Sequence, residues 1–220
     1  MLNIPQDNQK GFLFSLLSEN DKDYFVTSNY NEKENSENIK IFDLNRKKIK
    51  EINNSNKNTI FIDTYYDNLT SKIYIIFCTN ENVQSYDYYK NEIYKIYTDN
   101  NNQTYFSFKI FKSENIIKLI DSCKNGNIRI WDFHTGFLLN KIKVSNKSLI
   151  GICLWNENFI FDACQDKTMK LVELKRGMVV RCLYSHSNEI LTVKIVNHPL
   201  YGKCLLSQGN QKDQIKLWNI

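Results

Sequence analysis

The sequence has little glycine and proline, with seven and two of these residues among 220. This composition excludes collagen-like and proline-rich extended structures, and neither the dinucleotide-binding nor the P-loop glycine spacing occurs. No apolar run approaches the roughly 18 residues that a membrane-spanning helix needs. The apolar stretch 12–17 is too short for the core of a secretory signal peptide. We therefore expect a cytoplasmic protein, with the nucleus as the alternative location.

Motifs of catalysis and metal binding are absent as well. The six cysteines form no Cys-x-x-Cys pair, so we expect reduced thiols and no metal site. Neither Gly-x-Ser-x-Gly nor His-Glu-x-x-His occurs. Cys182 and His186 are close enough in sequence to suggest a nucleophile and its base, but we favour a buried strand cysteine and a structural loop histidine. The sequence thus predicts no enzymatic activity, no metal, no cofactor and no small-molecule substrate.

The composition is typical of one globular domain over residues 1–220. Hydrophobic residues make up 42% and charged residues 24%, which is enough to bury a core without disulfides. Aromatic residues reach 13%, and pleated sheets favour such side chains. The net charge of +5 is not concentrated in long runs of one sign. It therefore permits nucleic acid or an anionic membrane as a partner without indicating either.

Five segments of the chain share one pattern. Each has an apolar, a polar, usually an apolar and then a bulky residue, followed by an acid or Asn. This alternation indicates a strand with one buried face. The bulky positions are separated by 44, 45, 41 and 46 residues, which indicates an internal repeat. The segments are 39–43, 83–87, 128–132, 169–173 and 215–219, and their bulky positions are Phe42, Tyr86, Trp131, Val172 and Trp218.

A second set of equally spaced residues supports the repeat. Cys78, Cys123 and Cys164 each lie eight residues before the bulky position of their own segment. We therefore expect them at the ends of equivalent strands and not around one metal ion. Asn125-Gly126 predicts a hairpin turn with positive φ angles between a second and a third strand. The predicted strands of the three clearer repeats are 105–111, 116–122, 127–132, 138–144, 149–154, 159–164, 168–173, 179–184, 190–196, 203–207 and 214–220.

These positions resemble the WD-repeat family of β-propellers. Segment 128–132 ends in the Trp-Asp of that family, and segment 215–218 is similar. Residues 185–193 resemble its Gly-His loop, with Ser185 in place of the glycine, and Asn197-His198-Pro199 resembles the His-Pro that follows the first strand. The resemblance is clearest over 105–220 and continues in phase over 1–104.

The resemblance implies an all-β fold, a β-propeller of four-stranded antiparallel blades with about five WD-type repeats. The repeats would span approximately 1–51, 52–104, 105–145, 146–185 and 186–220. Seven blades are usual in the family, so three alternatives stay open: part of a longer propeller, a five-bladed ring, or an open arc that a partner completes. In closed propellers of the family the N-terminus often supplies the last strand, and Met1–Ile4 is the segment that would do so here.

The blades of the family are stiffened by a buried network of a turn Asp, a loop His, a strand Ser or Thr and the strand Trp. In this sequence the network is incomplete, because Cys123 and Cys164 replace the hydroxyl residue and Val172 replaces a Trp. Cysteine behaves as a small hydrophobic residue, so we expect apolar packing to compensate.

The resemblance further implies a non-enzymatic protein–protein interaction scaffold, a rigid platform whose rim loops contact other proteins. In the family, the turn between the second and third strands shares a rim with the loop before the first strand. Solvated turn residues are the alternative interpretation of this rim. The predicted partner contacts are Thr79, Lys124, Gln165, Asp166, His186 and Asn188. The predicted structural repeat positions are Phe42, Tyr86, Trp131, Asp132, Val172 and Trp218.

Two other partner classes are less favoured. Lys175-Arg176-Gly177 resembles the lipid-binding motif of phosphoinositide-binding propellers, but ordinary WD repeats also carry a basic-Gly hairpin turn at this place. Binding of nucleic acid is suggested by the net charge and by tyrosines that could stack on bases. We regard both membrane lipid and nucleic acid as weaker predictions than a protein partner.

Overall fold

The protein is described by a computed structural model that covers residues 13–19, 22–31, 36–54, 59–79, 81–99, 105–113, 116–184, 186–210 and 215–220. All regular secondary structure in these ranges is β-strand. The strands are β1 Leu13–Glu19, β2 Lys22–Asn31, β3 Ser36–Asp43, β4 Lys48–Asn54, β5 Phe61–Asp67, β6 Lys72–Cys78, β7 Val83–Asp87, β8 Glu92–Tyr97, β9 Tyr105–Ser113, β10 Ile116–Cys123, β11 Asn127–Asp132, β12 Leu138–Lys143, β13 Leu149–Leu154, β14 Phe159–Cys164, β15 Thr168–Glu173, β16 Met178–Tyr184, β17 Ile190–His198, β18 Gly202–Gly209 and β19 Ile215–Asn219.

The strands form five sheets in chain order. Strands β1–β4, β5–β8, β9–β12 and β13–β16 make four-stranded sheets, and β17–β19 make a three-stranded sheet. Consecutive strands pair antiparallel, as in β10 with β11 and β14 with β15. The bounds of β11, β13, β14 and β15 equal the predicted bounds. The predicted all-β fold with four-stranded antiparallel units is therefore confirmed, while Met1–Ile4 lies outside the described residues.

The repeat also appears in the irregularities of the sheets. In the first, third and fourth sheets the pairing of the third with the fourth strand shifts by one residue, directly before Phe42, Trp131 and Val172. Such a bulge increases the local twist of a strand pair. The bulky repeat position therefore marks the same bend in three separate sheets.

The turns between second and third strands differ in detail from the prediction. Between β10 and β11 the loop has three residues, 124–126, and Gly126 has a φ of +76°, while Asn125 is not among the residues with positive φ. The side chain of Asn125 instead accepts a hydrogen bond from the backbone N–H of Asn127. This is the three-residue hairpin that ends in a left-handed residue. In the next sheet Lys167 takes that conformation, with a φ of +70°.

The described residues group into two compact units. The first comprises 1–80 with 84–94, and the second comprises 81–83 with 95–220. In the first unit, β1 lies against β5, and its core consists of alternating apolar residues that face each other between the sheets. Core members of the first unit include Val26, Ile39, Ile41, Ile62, Ile75 and Phe77.

The second unit contains two further cores, one on each face of the fourth sheet. Its strand β13 lies against β9 and β10 of the third sheet and against β17 of the fifth. One core includes Ile128, Ile130, Ile152 and Ile160, and the other includes Phe161, Met169, Val193 and Leu205. Each sheet thus buries its apolar face only against a neighbouring sheet, as expected of a repeat architecture.

Candidate functional site

Three segments of the second unit meet at one edge of its sheets. The turns 124–126 and 165–167 join second to third strands, and loop 145–148 connects the third and fourth sheets. The carbonyl oxygen of Gly126 accepts hydrogen bonds from the N–H groups of Val144 at 2.9 Å and Ser145 at 3.1 Å. The N–H of Gln165 donates to the carbonyl of Ser148 at 2.9 Å. Loop 145–148 is therefore fixed to both turns, and we call the three segments the rim.

Gly126 allows this close approach. A Cβ atom at this position would lie 2.0 Å from the carbonyl oxygen of Ser145 and 2.7 Å from that of Lys147. Both contacts are with backbone atoms, which cannot rotate away as a flexible side chain can. The absence of a side chain at Gly126 therefore lets loop 145–148 pack directly on the turn.

Asp166 links the rim to the sheet below it. Its carboxylate accepts hydrogen bonds from Thr168 Oγ1 at 2.6 Å and from Ser145 Oγ at 3.3 Å, and it forms an ion pair with Lys170 Nζ at 2.7 Å. Burial raises the pKa of Asp166, but hydrogen bonds from Lys170 and Thr168 lower it further, so the pKa lies below its usual value. Asp166 is therefore ionised, and Lys170 balances its charge.

Two of the six predicted partner contacts have buried side chains. Thr79 lies in the first unit and is 1% exposed, and His186 is 8% exposed. The Nε2 atom of His186 lies 2.7 Å from Ser207 Oγ inside the fifth sheet. Both side chains are thus packed away from solvent, and all six partner contacts stay predictions. Lys124 is exposed, Gln165 and Asp166 are half-buried on the rim, and Asn188 is half-buried in loop 186–189.

The structure also places three further lysines on or beside the rim. Lys147 and Lys167 lie on the rim segments, and Lys143 ends the strand that leads into loop 145–148. With Lys124 they form a group of four exposed lysines, which we call the lysine patch. The signal was present in the sequence, since all four lie in or beside the repeated turns, but they are too far apart along the chain to form a visible basic run.

A buried ionic cluster lies beneath the rim in the third sheet. Arg129 is 0% exposed. It donates through Nε and Nη2 to Asp121 Oδ1, at 2.9 and 2.7 Å, and through Nη1 to Asp99 Oδ1 at 2.9 Å. Trp131 Nε1 donates to Asp121 Oδ2 at 2.6 Å, and Lys141 Nζ donates to Asp99 Oδ2 at 2.7 Å. Asp99 is thus shared between Arg129 and Lys141, and Asp121 accepts from both Arg129 and Trp131.

This cluster adds a polar network to the apolar packing that the sequence predicts for the incomplete blades. Cys123 is buried, but its thiol donates to Asp121 Oδ1 at 3.6 Å and so joins the cluster. Asp121 holds the indole of Trp131 from the second strand. A satisfied polar network of this kind stiffens the sheet.

The fourth sheet has an acid and a base at the positions equivalent to Asp121 and Arg129, but here the two side chains do not bond to each other. Asp162 lies opposite Lys170, as Asp121 lies opposite Arg129. Lys170 Nζ is turned toward Asp166 and toward Thr168 Oγ1 at 2.9 Å, so neither carboxyl oxygen of the fully buried Asp162 has a hydrogen-bond partner among the described residues. Burial raises the pKa of Asp162 well above its usual value, and Lys170 only partly opposes this.

Asp162→Asn is expected to remove a pH dependence of stability. The folded chain holds the Asp162 proton more tightly than the unfolded chain. The contribution of this protonated carboxyl to the free energy of unfolding is therefore complete below the unfolded pKa of about 3.9, and it is lost as the pH rises through the folded pKa. In this window the free energy of unfolding changes by up to about 1.4 kcal/mol per pH unit. Urea denaturation at several pH values should show the parent losing stability relative to Asp162→Asn as the pH rises.

The matched control is Glu157→Gln, because Glu157 is exposed in the same unit. This variant should follow the parent at every pH. A constant difference between the parent and Asp162→Asn across the pH range would contradict a raised pKa for Asp162.

No model of a known protein family matches the chain. A segment of 72 residues is 26% identical to the U3 small nucleolar RNA-associated protein 21 homolog of Schizosaccharomyces pombe. It covers 33% of this chain and 8% of that protein, so the chain spans a small part of the relative's length.

Two solved structures share the architecture at low sequence identity. The WD40 β-propeller domain of Doa1 is 12% identical with a TM-score of 0.69, over 92% of this chain and 62% of that one. The computationally designed Ika4 protein is 15% identical with a TM-score of 0.55, over 67% of this chain and 85% of that one. The chain has the WD-repeat β-propeller fold. The resemblance predicted from the sequence is confirmed, and each sheet is a blade.

Four of the predicted repeat positions lie opposite an apolar residue of the second strand. The second strand presents Phe25 opposite Phe42, Leu119 opposite Trp131, Ile160 opposite Val172 and Leu205 opposite Trp218. Tyr86, Trp131 and Val172 are buried, whereas Phe42, Asp132 and Trp218 are half-buried. Trp218 Nε1 donates to Ser207 Oγ at 2.8 Å, so only the fifth blade has a His–Ser–Trp arrangement among those described.

The residues that suggest catalysis or lipid binding lie outside the rim. Cys182 lies on β16, and the Nε2 atom of His186 lies 2.7 Å from Ser207 Oγ of β18. Burial raises the pKa of the Cys164 thiol to about 11, so this thiol is protonated at neutral pH. Gly177 has a φ of +66° and ends the hairpin turn that holds Lys175 and Arg176, and Arg176 pairs with Glu173 at 3.5 Å.

Two further features do not occur in the described ranges. No cluster of three or more His, Cys, Asp or Glu side chains in these ranges is arranged to hold a metal ion. The same residues include no helix of the length and apolarity needed to cross a membrane.

Proposed function

We propose that the chain is a non-enzymatic protein–protein interaction scaffold and that the rim of the second unit contacts a protein partner. One observation carries this proposal: loop 145–148 is fixed to the turns on both sides by backbone hydrogen bonds, while the lysines around it are exposed. The propeller fold supports protein interaction in general, but a fold alone does not define a function. The argument therefore rests on the rim.

The fixed rim favours binding, because little ordering is left to occur on association. A loop that is already held in place loses less conformational entropy when a partner docks than a free loop would. Backbone atoms make these contacts, so the side chains of Lys124 and Gln165 remain free to vary without loss of the frame. Rigid sheets that carry variable loops are a common arrangement for recognition.

Charge reversal at Lys124 is expected to weaken partner binding without loss of stability. Lys124 is exposed, and surface substitutions of this kind usually change the free energy of unfolding by less than about 0.5 kcal/mol. The measurement is quantitative affinity purification from the source cells with the parent, Lys124→Glu and Lys112→Glu. Lys112 is also exposed but lies near the end of β9, at the opposite edge of its blade.

At least one protein should be recovered with the parent and with Lys112→Glu but be depleted with Lys124→Glu. Identical sets of recovered proteins from all three baits would contradict a role for the rim. Denaturation curves of the three proteins must coincide for the comparison to report on binding.

The location of the chain is part of the proposal. The similarity to a protein named for association with a nucleolar RNA favours the nuclear alternative over the cytoplasm. Fluorescence microscopy of the tagged chain at native expression distinguishes the two. Exclusion of the tagged chain from the nucleus would contradict a nuclear location.

A further inference from the structure

We propose that the lysine patch binds an acidic segment of a protein partner, an inference that rests on the proposed scaffold function and specifies its chemistry. The patch consists of Lys124, Lys143, Lys147 and Lys167, all exposed. In sequence they span 44 residues of two repeats, yet the fold gathers them around one loop.

Contacts of the rim segments with one another bring the four lysines to the same edge of the sheets. The carbonyl oxygen of Lys147 lies 2.7 Å from where a Cβ of Gly126 would be, two residues from Lys124. Lys143 Nζ donates to the carbonyl of Asn125 at 2.7 Å. Lys167 follows Asp166, whose carboxylate binds Ser145 of the same loop.

The patch lacks a compensating negative charge of its own. In the described ranges none of the four lysines forms an ion pair. The only acid in the rim segments is Asp166, and its charge is already balanced by Lys170 at 2.7 Å from below. Four like charges on neighbouring loops repel one another, so an anionic partner would relieve this repulsion as well as form new ion pairs.

The chemistry of the patch fits carboxylates on a flexible peptide. Lysine is a hydrated point charge on a long stem, which attracts acidic side chains without demanding one geometry. Sites for single-stranded nucleic acid combine positive charge with several aromatic platforms. Beside the patch, Tyr184 at the end of β16 is 73% exposed and lies opposite Thr168. Among the side chains that the structure describes, one exposed ring beside the patch is not a series of platforms, so the patch favours a peptide over RNA.

The test uses a triple variant and a control with the same net charge. Lys124→Glu, Lys147→Glu and Lys167→Glu reverse the patch, while Lys143 is kept because it contacts Asn125. The control reverses Lys112, Lys175 and Lys194, which are exposed in the second unit away from the rim. The probes are a labelled peptide of alternating Glu and Ser, a Gln-Ser peptide of equal length, and a single-stranded RNA of equal charge.

Fluorescence anisotropy should show that the parent and the control variant bind the Glu-Ser peptide and not the Gln-Ser peptide. The triple variant should bind about tenfold more weakly or worse, and the affinity of the parent should fall with added salt. Equal binding by the two triple variants, or no binding by the parent, would overturn the proposal. Tighter binding of the RNA than of the peptide would overturn the assignment of a protein partner.

The outcome separates this inference from the scaffold function. If the peptide fails to bind but Lys124→Glu still removes a protein in affinity purification, the scaffold function stands and the acidic chemistry is wrong. If both measurements are negative, both proposals fail.

Discussion

Replacing Arg129 by methionine is expected to lower the free energy of unfolding by about 3–5 kcal/mol. Arg129 is fully buried and donates to both Asp121 and Asp99, so its loss leaves two buried carboxylates with too few donors. Methionine keeps the length and apolar bulk of the stem, which limits any cavity. Urea denaturation followed by tryptophan fluorescence measures this directly, because all three tryptophans, at 131, 155 and 218, lie in the second unit.

Three further variants distinguish a buried cluster from a general effect of charge. Arg181→Met removes an exposed arginine of β16 and should change stability by less than about 0.5 kcal/mol. Arg129→Lys keeps the charge but loses the planar fork, so an intermediate loss is expected. Adding Asp121→Asn to Arg129→Met should recover part of the loss, because one unpaired charge is removed. Purely additive losses would contradict direct coupling.

Gly126→Ala is expected to destabilise the chain by about 2–5 kcal/mol. About 1–2 kcal/mol of this comes from placing a Cβ on a left-handed residue with a φ of +76°. The rest, about 1–3 kcal/mol, comes from overpacking against the backbone of Ser145, which would lie 2.0 Å from the new carbon. The same denaturation experiment measures the loss.

Gly202→Ala is the matched control for this substitution. Gly202 has a similar φ of +70°, but no atom lies within 4 Å of where its Cβ would be. It should therefore show the conformational strain without the clash, and the difference between the two variants isolates the contact of loop 145–148. Equal losses in the two variants would show that the loop does not pack on Gly126.

Loss of this contact should also affect the rim. If loop 145–148 is displaced in Gly126→Ala, Lys147 moves away from Lys124, and binding at the lysine patch should weaken even under conditions where the variant is folded. The contact between loop 145–148 and Gly126 is thus expected both to stabilise the turn and to hold Lys147 near Lys124.

The strands could be predicted from the sequence because each depends on a local pattern. In β11 and β15 the alternation of apolar and polar residues and the bulky repeat position coincide, and the predicted bounds match those observed. The turn at Gly126 was predicted in the right place, but its three-residue geometry depends on the register of the strands. That register is set by the whole blade and not by the Asn-Gly pair.

The ionic cluster could not be predicted in this way, because its members are far apart in sequence. Arg129 meets Asp121 across one hairpin, but its second partner, Asp99, lies 30 residues away. A signal did exist: Asp121 and Arg129 recur as Asp162 and Lys170, 41 residues later in both cases. Whether such a pair closes depends on a competing acid, and in the fourth blade Asp166 binds the lysine instead.

The burial of Thr79 and His186 shows the limit of assigning contacts from the turns of a repeat. Both lie in or beside the predicted turns, yet both are buried, and His186 Nε2 lies 2.7 Å from Ser207 Oγ. Position along the repeat therefore defines the edge on which a residue lies. Exposure at that edge depends on the neighbouring loop, which the repeat pattern does not describe.

The repetition of one sheet motif is tested best by nuclear Overhauser effects between α and amide protons of paired strands in the isotope-labelled chain. Contacts are expected at the same register in three blades. Helical contacts at any third strand would contradict the repeat. Unrelated neighbours for Trp131 and Trp218 would contradict it as well. The pairs to be measured are Leu119 with Trp131, Ile160 with Val172, and Leu205 with Trp218.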